Sequence, residues 1–160
     1  MRVREFQNTD WDEWRRMDHA LDPGNDSADL EAEMRALLAR PDYAVFIAER
    51  PDGSVCGYVE VGSRAYADGC NSSPVGYIEG WYVDPDVRRT GYGRALLAAA
   101  ETWARERGYT EIASDARLGN SVSLEAHVRS GYAVVDRIIQ FRKRLYPQAK
   151  PRHETRGKYR

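Results

Sequence analysis

The chain has 160 residues, the length of one domain, which is enough to bury a hydrophobic core without disulfides or a structural metal. Its 24 basic and 25 acidic side chains nearly cancel, so its net charge does not favour a nucleic-acid partner. Cys56 and Cys70 lack the spacing of a zinc site and indicate free thiols in a reducing compartment. The chain has no apolar signal region, and no apolar run approaches the roughly 20 residues that a membrane helix needs. We therefore predict a soluble cytoplasmic protein that does not contact a membrane.

The N-terminal part of the chain predicts a short strand and two helices. Residues 3–6 form the strand candidate, and the polar cluster after them suits the start of a helix. That helix has an apolar stripe at helical spacing, formed by Trp11, Trp14, Met17 and Leu21. Residues 27–40 predict a second helix, which has acidic residues in its first turn and ends before Pro41.

Two strand-like segments and a long polar loop follow. Residues 43–50 and 54–62 are separated by the turn Pro51-Asp52-Gly53, so they predict an antiparallel hairpin. The segment 63–75 is polar, and a loop of this length in a compact domain is often functional.

Residues 77–93 are the most informative stretch of the sequence. A run rich in β-branched and aromatic residues predicts a strand that stops at Asp84-Pro85, and a helix is predicted from 94 to 107. Between them lies a basic loop that contains Gly91 and Gly93. Glycines let the backbone approach a ligand closely, and the start of a helix offers unpaired N–H groups to a negative charge. The pattern predicts a phosphate site; the alternative is a glycine-rich surface turn that binds nothing.

The remaining segments predict a strand over 110–114, a short helix over 121–130 and a last β region over 133–146. Residues 147–160 form a basic tail without apolar periodicity, which we predict to be disordered. The order β-α-α-β-β-β-α-β-α-β predicts a single α/β (α+β) domain over 1–146. Its mixed, mostly antiparallel sheet is flanked by helices and has a parallel crossover through the third helix.

The motif Arg88-x-x-Gly91-x-Gly93, with Asn120 and Gly131-Tyr132 downstream, resembles the acyl-CoA loop of the GCN5-related N-acetyltransferase (GNAT) superfamily. Further segments are similar to the aminoglycoside 6'-N-acetyltransferases within it: Tyr66 to Cys70, Ser72 to Val75, Tyr77 to Gly80, Ala113 to Asp115 and Phe141 to Lys143. The similarity extends over nearly all of residues 1–146.

This resemblance implies an antibiotic-resistance enzyme in which the 6'-amine of an aminoglycoside attacks acetyl-CoA directly in a ternary complex. No acetyl-enzyme forms, and the expected assembly is a homodimer. The pyrophosphate is expected at backbone N–H groups between Arg88 and Arg94 and at the start of the third helix. The implied cofactor-binding residues are Tyr82, Val83, Arg88, Arg89, Thr90, Gly91, Tyr92, Gly93, Arg94 and Asn120.

Acidic residues are needed at the acceptor end, because a primary ammonium has a pKa of about 10.4 and its deprotonation at pH 7 costs on the order of 4–5 kcal/mol. A carboxylate holds an ammonium in place but also raises its pKa. Glu79 and Asp115 converge on one cleft if their strands are neighbours. We expect both to bind the cationic drug and one of them, with Glu79 preferred, to pass the proton out through water. The alternative is a pair of ordinary surface or salt-bridged carboxylates.

Other residues have expected roles in protonation of the leaving group, in stabilisation of the oxyanion and in drug binding. His127 occupies the place of a tyrosine that many relatives use to protonate the leaving thiolate; it is a candidate general acid, or else a packing residue. A backbone N–H near Tyr82 or Val83 is expected to stabilise the oxyanion. Tyr66 and Asp68 are candidates for the wall of the drug site, with loop packing as the alternative. In the L-x-P-G turn this chain has Asp22 where similar proteins have tryptophan, which leaves the range of accepted drugs open.

Two alternative functions remain at the level of sequence. One is acetyl transfer to another amine, either a polyamine or a peptide N-terminus, of which the paired carboxylates favour the polyamine. The other is a degenerate module that binds acyl-CoA without turnover. Glu79 and Asp115 together argue against that module, although intact Arg88, Gly91 and Gly93 do not exclude it.

Overall fold

A mixed five-stranded sheet forms the centre of the computed structural model, which describes residues 1–24 and 29–146. The strands lie in chain order across the sheet: β1 (Arg2–Glu5), β2 (Tyr43–Glu49), β3 (Val55–Arg64), β4 (Val75–Val83) and β5 (Ile112–Ser114). The helices are α1 (Trp11–Leu21), α2 (Leu30–Leu38), α3 (Tyr92–Glu106) and α4 (Ser121–Arg129). No helix within the described ranges is long and apolar enough to cross a membrane.

The pairing of the strands confirms the predicted hairpin and the predicted parallel crossover. β1 to β4 pair antiparallel, whereas β5 pairs parallel with β4 after the chain has passed through α3. The β4–β5 pairing ends where Ser114 lies opposite Ile78. Beyond that point, residues 79–83 of β4 have no strand partner on the β5 side among the described residues. An open strand edge therefore leads from the middle of β4 to the start of α3.

Two hydrophobic cores hold the helices on opposite faces of the sheet, because alternate side chains of a strand point to opposite faces. The apolar stripe of α3, including Leu96, Leu97 and Trp103, packs with Val59 and Val61. The other core joins α1 and α2 to the sheet through Trp11, Trp14, Met17, Met34, Ile47 and Tyr58. The predicted stripes are confirmed, except that Leu21 at the end of α1 is exposed.

A β-bulge interrupts the pairing of β3 with β4. Glu60 lies opposite Gly80, but the next pair along β3 is Val61 with Ile78. Glu79 is therefore one extra residue in β4 and has no counterpart on β3. Without the bulge, strict alternation would place Glu79 and Gly80 on opposite faces of the sheet.

The prediction of a last strand over 133–146 is wrong, because the described residues contain no strand after β5. An alternating apolar pattern forms a strand only where the backbone finds a paired edge, and this segment meets none within the described chain. Its apolar side chains are consequently exposed: Val134, Val135, Ile138, Ile139, Phe141, Leu145 and Tyr146.

Other predicted boundaries change less. The first residues of the predicted second helix, 27 and 28, lie outside the described residues, as does the predicted tail 147–160. α3 begins at Tyr92, two residues before its predicted start. Cys56 and Cys70 are free thiols, as predicted.

Candidate active site

The basic loop before α3 has the backbone of an anion site. Arg89 and Gly91 both adopt left-handed conformations, with φ of 63° and 103°, and Gly91 is the N-cap of α3. Backbone turns of this kind, followed by a helix N-terminus, direct N–H groups toward a negative charge. The first turn of α3 has no acidic residue, and Arg88, Arg89 and Arg94 are all exposed around it. These residues fit a pyrophosphate.

The two glycines of this loop serve different purposes. Gly91 provides the left-handed φ that a residue with a side chain rarely adopts. Gly93 provides space, because a Cβ atom there would lie 2.9 Å from Cζ2 of Trp81. The neighbouring Tyr92, predicted to bind cofactor, has its side chain in the core under α3, so only its backbone is available to a ligand.

Other predicted cofactor residues are held by internal hydrogen bonds. Nε of Arg88 donates to the carbonyl of Val83 at 2.9 Å, which ties the loop to the end of β4. Oγ1 of Thr90 donates to the carbonyl of Val87 at 2.6 Å. Tyr82 is buried on β4. Oδ1 of Asn120 accepts from the backbone N–H of Ser123 at 3.0 Å and so caps α4.

Glu79 and Asp115 each directly follow the last pair of the β4–β5 ladder, Ile78 with Ser114, and Arg64 and Tyr77 join them there. Arg64 donates from Nε to Oε1 of Glu79 at 2.9 Å, with a second contact from Nη2 to Oε2. The same guanidinium lies over the ring of Tyr77, and the Tyr77 hydroxyl donates to Oδ1 of Asp115 at 3.0 Å. Burial, together with Asp115, raises the pKa of Tyr77 to about 12, so this hydroxyl remains a donor.

This arrangement can bind a cation, since it already holds one. Arg64 is a guanidinium from the chain itself, paired with Glu79, one of the two carboxylates that were predicted to receive a substrate ammonium. Glu79 is more exposed than its place in a strand predicts, because the bulge turns it out of the regular pleat.

The predicted drug-site wall is exposed and preorganised. The Tyr66 hydroxyl donates to Oδ1 of Asp68 at 2.7 Å, and the Tyr66 side chain is largely open to solvent. Asp22, at the end of α1, pairs with Nη2 of Arg117 at 3.1 Å. The charge at position 22 is thus partly neutralised by the loop that follows β5.

His127 on α4 contacts polar groups through both ring nitrogens. Nδ1 lies 2.8 Å from the carbonyl oxygen of Ser123, and Nε2 lies 3.0 Å from Oγ of Ser114. Because a carbonyl only accepts, we assign the Nδ1 proton from this contact, which leaves Nε2 of the neutral ring as an acceptor. The ring also packs edge-on against Trp81 and Tyr132. His127 can therefore supply a proton at Nε2 only in its doubly protonated form.

A buried carboxyl group lies behind Glu79. Glu60 on β3 is 8% exposed and accepts from Nε1 of Trp14 at 2.7 Å and from the hydroxyl of Tyr43 at 2.8 Å. Burial is the main cause that raises the pKa of Glu60 to about 7; both hydrogen bonds lower it, and the charges of Asp18 and Glu79 raise it further. Glu60 and Glu79 line one cavity of about 280 Å³.

Sequence reasoning missed Arg64 and Glu60. A lone arginine at the end of a strand has no distinguishing pattern. Glu60 had a signal, because it is an acidic residue in the middle of the otherwise apolar and aromatic run from Val55 to Val61. Such a residue is either on a solvent-facing strand face or a buried polar group with partners.

The geometry combines an anion loop at the start of α3 with a cation site on β4 and β5. A family model described as the acetyltransferase (GNAT) family matches residues 4–132 of the chain. The chain belongs to the GNAT acetyltransferase family. The match begins within β1 and extends over β2 to β5 and over α1 to α4, so the predicted GNAT fold is confirmed.

Within this GNAT family, relatives named aminoglycoside N(6')-acetyltransferase type 1 are similar over most of the chain. The relative from Klebsiella aerogenes is 44% identical over 147 residues, which cover 89% of this chain and 96% of the relative. The relative from Stenotrophomonas maltophilia is 39% identical over 148 residues, covering 92% and 95%.

Solved GNAT structures agree with these relatives. The structure of AAC(6')-Iy in complex with the bisubstrate analogue CoA-S-monomethyl-acetylneamine has a TM-score of 0.82 and 33% identity, covering 89% of this chain and 97% of that one. The apo structure of AAC(6')-IG from Acinetobacter haemolyticus also has a TM-score of 0.82, with 32% identity, covering 91% and 100%.

Proposed function

We propose that the protein is an acetyl-CoA-dependent aminoglycoside 6'-N-acetyltransferase and that it confers aminoglycoside resistance. The observation that carries this proposal is the placement of Glu79 on the strand that leads into the anion loop, paired with the Arg64 guanidinium, while Asp115 follows the adjacent strand and accepts from Tyr77 beneath that guanidinium. The relatives named for this activity, and the neamine-based bisubstrate analogue in a structure of similar fold, support it.

The loop and the start of α3 hold the cofactor. Backbone N–H groups from Arg88 to Arg94 receive the pyrophosphate, and the exposed arginines add charge-assisted contacts. When bound, acetyl-CoA supplies the acetyl group as a thioester. The open edge of β4 near Tyr82 or Val83 offers a backbone N–H for the oxygen that becomes negative during transfer.

Glu79 and Asp115 bind the cationic acceptor. A substrate ammonium that enters between them takes the place of the Arg64 guanidinium, with Tyr66 and Asp68 as part of the wall around the sugar ring. Glu79 then relays the ammonium proton through water, so that the free amine attacks the thioester directly. His127, in its protonated form, gives a proton to the departing thiolate. In this way one site holds both substrates, without an acetyl-enzyme.

One assay tests this function. We expect purified protein to release thiol from acetyl-CoA with kanamycin and with neamine, and to lose this turnover when the 6'-amine of the acceptor is replaced by a hydroxyl. Spermidine and a short peptide are included as competing acceptors. Turnover on the peptide alone, on spermidine alone, or on none of them contradicts the proposed function, and the last result indicates a binding module.

The protein also acts as a homodimer in this proposal, in the reducing cytoplasm that its free cysteines indicate. The exposed apolar segment 133–146 supports self-association, because its exposed apolar side chains form a surface that a second copy can cover. Light scattering after size-exclusion chromatography should give the mass of two chains. Ile139→Lys should reduce the measured mass to that of one chain, whereas the control Gln140→Lys should keep the mass of two chains. A wild-type monomer contradicts the proposal.

A further inference from the structure

Glu60 is a buried carboxyl group that accepts hydrogen bonds from its neighbours but has no positive charge paired with it among the described residues. Its two oxygens accept from Trp14 of α1 and from Tyr43 of β2, both of which are neutral donors. Burial and the nearby Glu60 charge raise the pKa of the Tyr43 hydroxyl well above its ordinary value, so Tyr43 stays a donor. No basic side chain of the described residues forms an ion pair with Glu60. A carboxyl group in such a place is poised to gain a proton.

The charged groups around Glu60 come from each element packed against it. Asp18 of α1 accepts from the Tyr58 hydroxyl at 3.2 Å, and Glu79 approaches from β4. Arg40, after α2, lines the same cavity, but its guanidinium is paired with Asp42. The neighbours that affect Glu60 electrostatically are therefore acidic, which opposes its ionisation.

A cavity of about 280 Å³ connects Glu60 with the acceptor site. Glu60 and Glu79 both line it, and the remaining lining residues are Leu37, Arg40, Tyr43, Gly62 and Ser63. A water molecule takes roughly 30 Å³, so this space accommodates a short chain of waters between the two carboxyl groups. Gly80 keeps β4 from covering Glu60, since a Cβ atom there would lie 3.3 Å from Oε2.

Glu79 by itself is a poor final acceptor for the proton that the substrate must lose. Its carboxylate accepts two contacts from Arg64, and in the proposed complex it is paired with the substrate ammonium. Glu60 titrates near neutral pH, where its acid and its carboxylate are both populated. A proton acceptor works best under that condition.

We propose that Glu60 is the acceptor, reached through water in the shared cavity, of the proton that the aminoglycoside ammonium loses before its nitrogen attacks the thioester. This inference rests on the proposed function and deepens it. One N–H bond of the ammonium breaks, its electron pair stays on the nitrogen as the nucleophile, and the proton forms an O–H bond on Glu60. Glu60 then returns the proton to solvent through the cavity, which restores the carboxylate for the next turnover.

The test is the pH profile of kcat with kanamycin and saturating acetyl-CoA. In the wild type we expect kcat to fall as pH drops below about 7, where Glu60 becomes protonated. Tyr43→Phe removes a hydrogen bond that favours the carboxylate, so the acidic limb should move to higher pH by about one unit. Glu60→Gln keeps a hydrogen-bond acceptor but takes up no proton, so kcat should fall by about 10²-fold or more and the limb should disappear.

The matched controls are Tyr109→Phe and Glu106→Gln. Glu106 is the last residue of α3 and Tyr109 follows that helix, and neither residue lines the cavity. They should reproduce the wild-type profile. An acidic limb that Tyr43→Phe does not move, or a Glu60→Gln protein that keeps its kcat, overturns the role of Glu60 while the proposed function stands. Absence of turnover in the wild type overturns both proposals.

Discussion

Arg64 and Glu79 form an ion pair across β3 and β4, in which Nε of Arg64 donates to Oε1 of Glu79 at 2.9 Å. The guanidinium carbon of Arg64 also lies 3.4 Å from the centre of the Tyr77 ring. A cation of the chain itself thus pairs with Glu79, where the proposed substrate places its ammonium. Binding of the drug has to displace it, so the strength of this pair affects the affinity for the drug.

Arg64→Gln should therefore lower KM for kanamycin. Partly exposed ion pairs contribute about 0.2–1 kcal/mol, so removing the competition should lower KM by roughly 1.4-fold to 5-fold. Steady-state kinetics at saturating acetyl-CoA measure this change. Arg105→Gln is the control, because it breaks an ion pair with Glu101 on α3, away from the acceptor site. A higher KM in Arg64→Gln alone would mean that Arg64 contributes to drug binding.

Glu79→Gln and Asp115→Asn should affect different kinetic constants. Loss of one charge-assisted contact costs about 1.5–3 kcal/mol, so Asp115→Asn should raise KM for the drug roughly 10-fold to 150-fold with little change in kcat. Glu79→Gln should also lower kcat, because Glu79 relays a proton. The exposed Glu106→Gln serves as control. Wild-type constants in both site variants would end their assignment.

Gly91→Ala should weaken acetyl-CoA binding. Gly91 has a φ of 103°, a left-handed conformation that costs a residue with a side chain about 1–2 kcal/mol. Gly108→Ala is a matched control, since Gly108 has a φ of 79° and lies at the other end of α3, with open space around its Cβ position. Thermal unfolding should show similar destabilisation in both variants, and only Gly91→Ala should raise KM for acetyl-CoA. An equal KM in the two variants would contradict the placement of the pyrophosphate.

Glu60 should also make stability depend on pH. Burial raises the pKa of Glu60 from 4.5 to about 7, so between these pH values the folded protein keeps a proton that the unfolded chain has lost. The contribution of Glu60 to the free energy of unfolding therefore falls as pH rises through this window and is level above it. Denaturant titrations should show that the free energy of unfolding of Glu60→Gln, relative to that of the wild type, rises by about 3 kcal/mol between pH 4.5 and about pH 7. A constant difference would show that Glu60 does not titrate there.

His127→Phe keeps an aromatic ring beside Trp81 and Tyr132 but removes the two ring nitrogens. We expect kcat to fall about 10-fold, less than the roughly 10²–10⁴-fold typical of general acids, because a coenzyme thiolate leaves with little assistance. Thermal unfolding checks that the variant is folded. Full kcat in folded His127→Phe would reject the acid role and leave His127 as a residue that links α4 to Ser114.

The sequence was sufficient for features that depend on local pattern. The turn Pro51-Asp52-Gly53 predicted the hairpin, and the glycine-containing basic loop was predicted to lead into a helix N-terminus, where the structure has Gly91 as the N-cap of α3. The order of the elements predicted the parallel position of β5, which brings Asp115 beside the strand of Glu79. These features follow from nearest-neighbour chemistry along the chain.

The missed features depend on pairing across the fold. The alternation over 133–146 has the pattern of a strand, but no pattern within a segment tells whether an edge is available to it. Nothing in the sequence around Arg64 indicates that β4 places Glu79 within its reach. The partners of Glu60 are 46 and 17 residues away along the chain, on α1 and β2.

The bulge at Glu79 divides β4 into two registers. Tyr77 and Ile78 pair with β3 in one register, and the residues from Gly80 to Val83 pair in another. The register of the residues before the bulge, next to the acceptor site, is therefore independent of the register of the residues after it, which lead to the anion loop. Exchanging residues before the bulge for those of a relative with a different drug range should change acceptor choice without displacing Trp81 against Gly93. Deleting Glu79 should remove the bulge: Ile78 and Gly80 keep their partners Val61 and Glu60 in a regular ladder, so the faces of both halves are retained and the acceptor site loses one carboxylate.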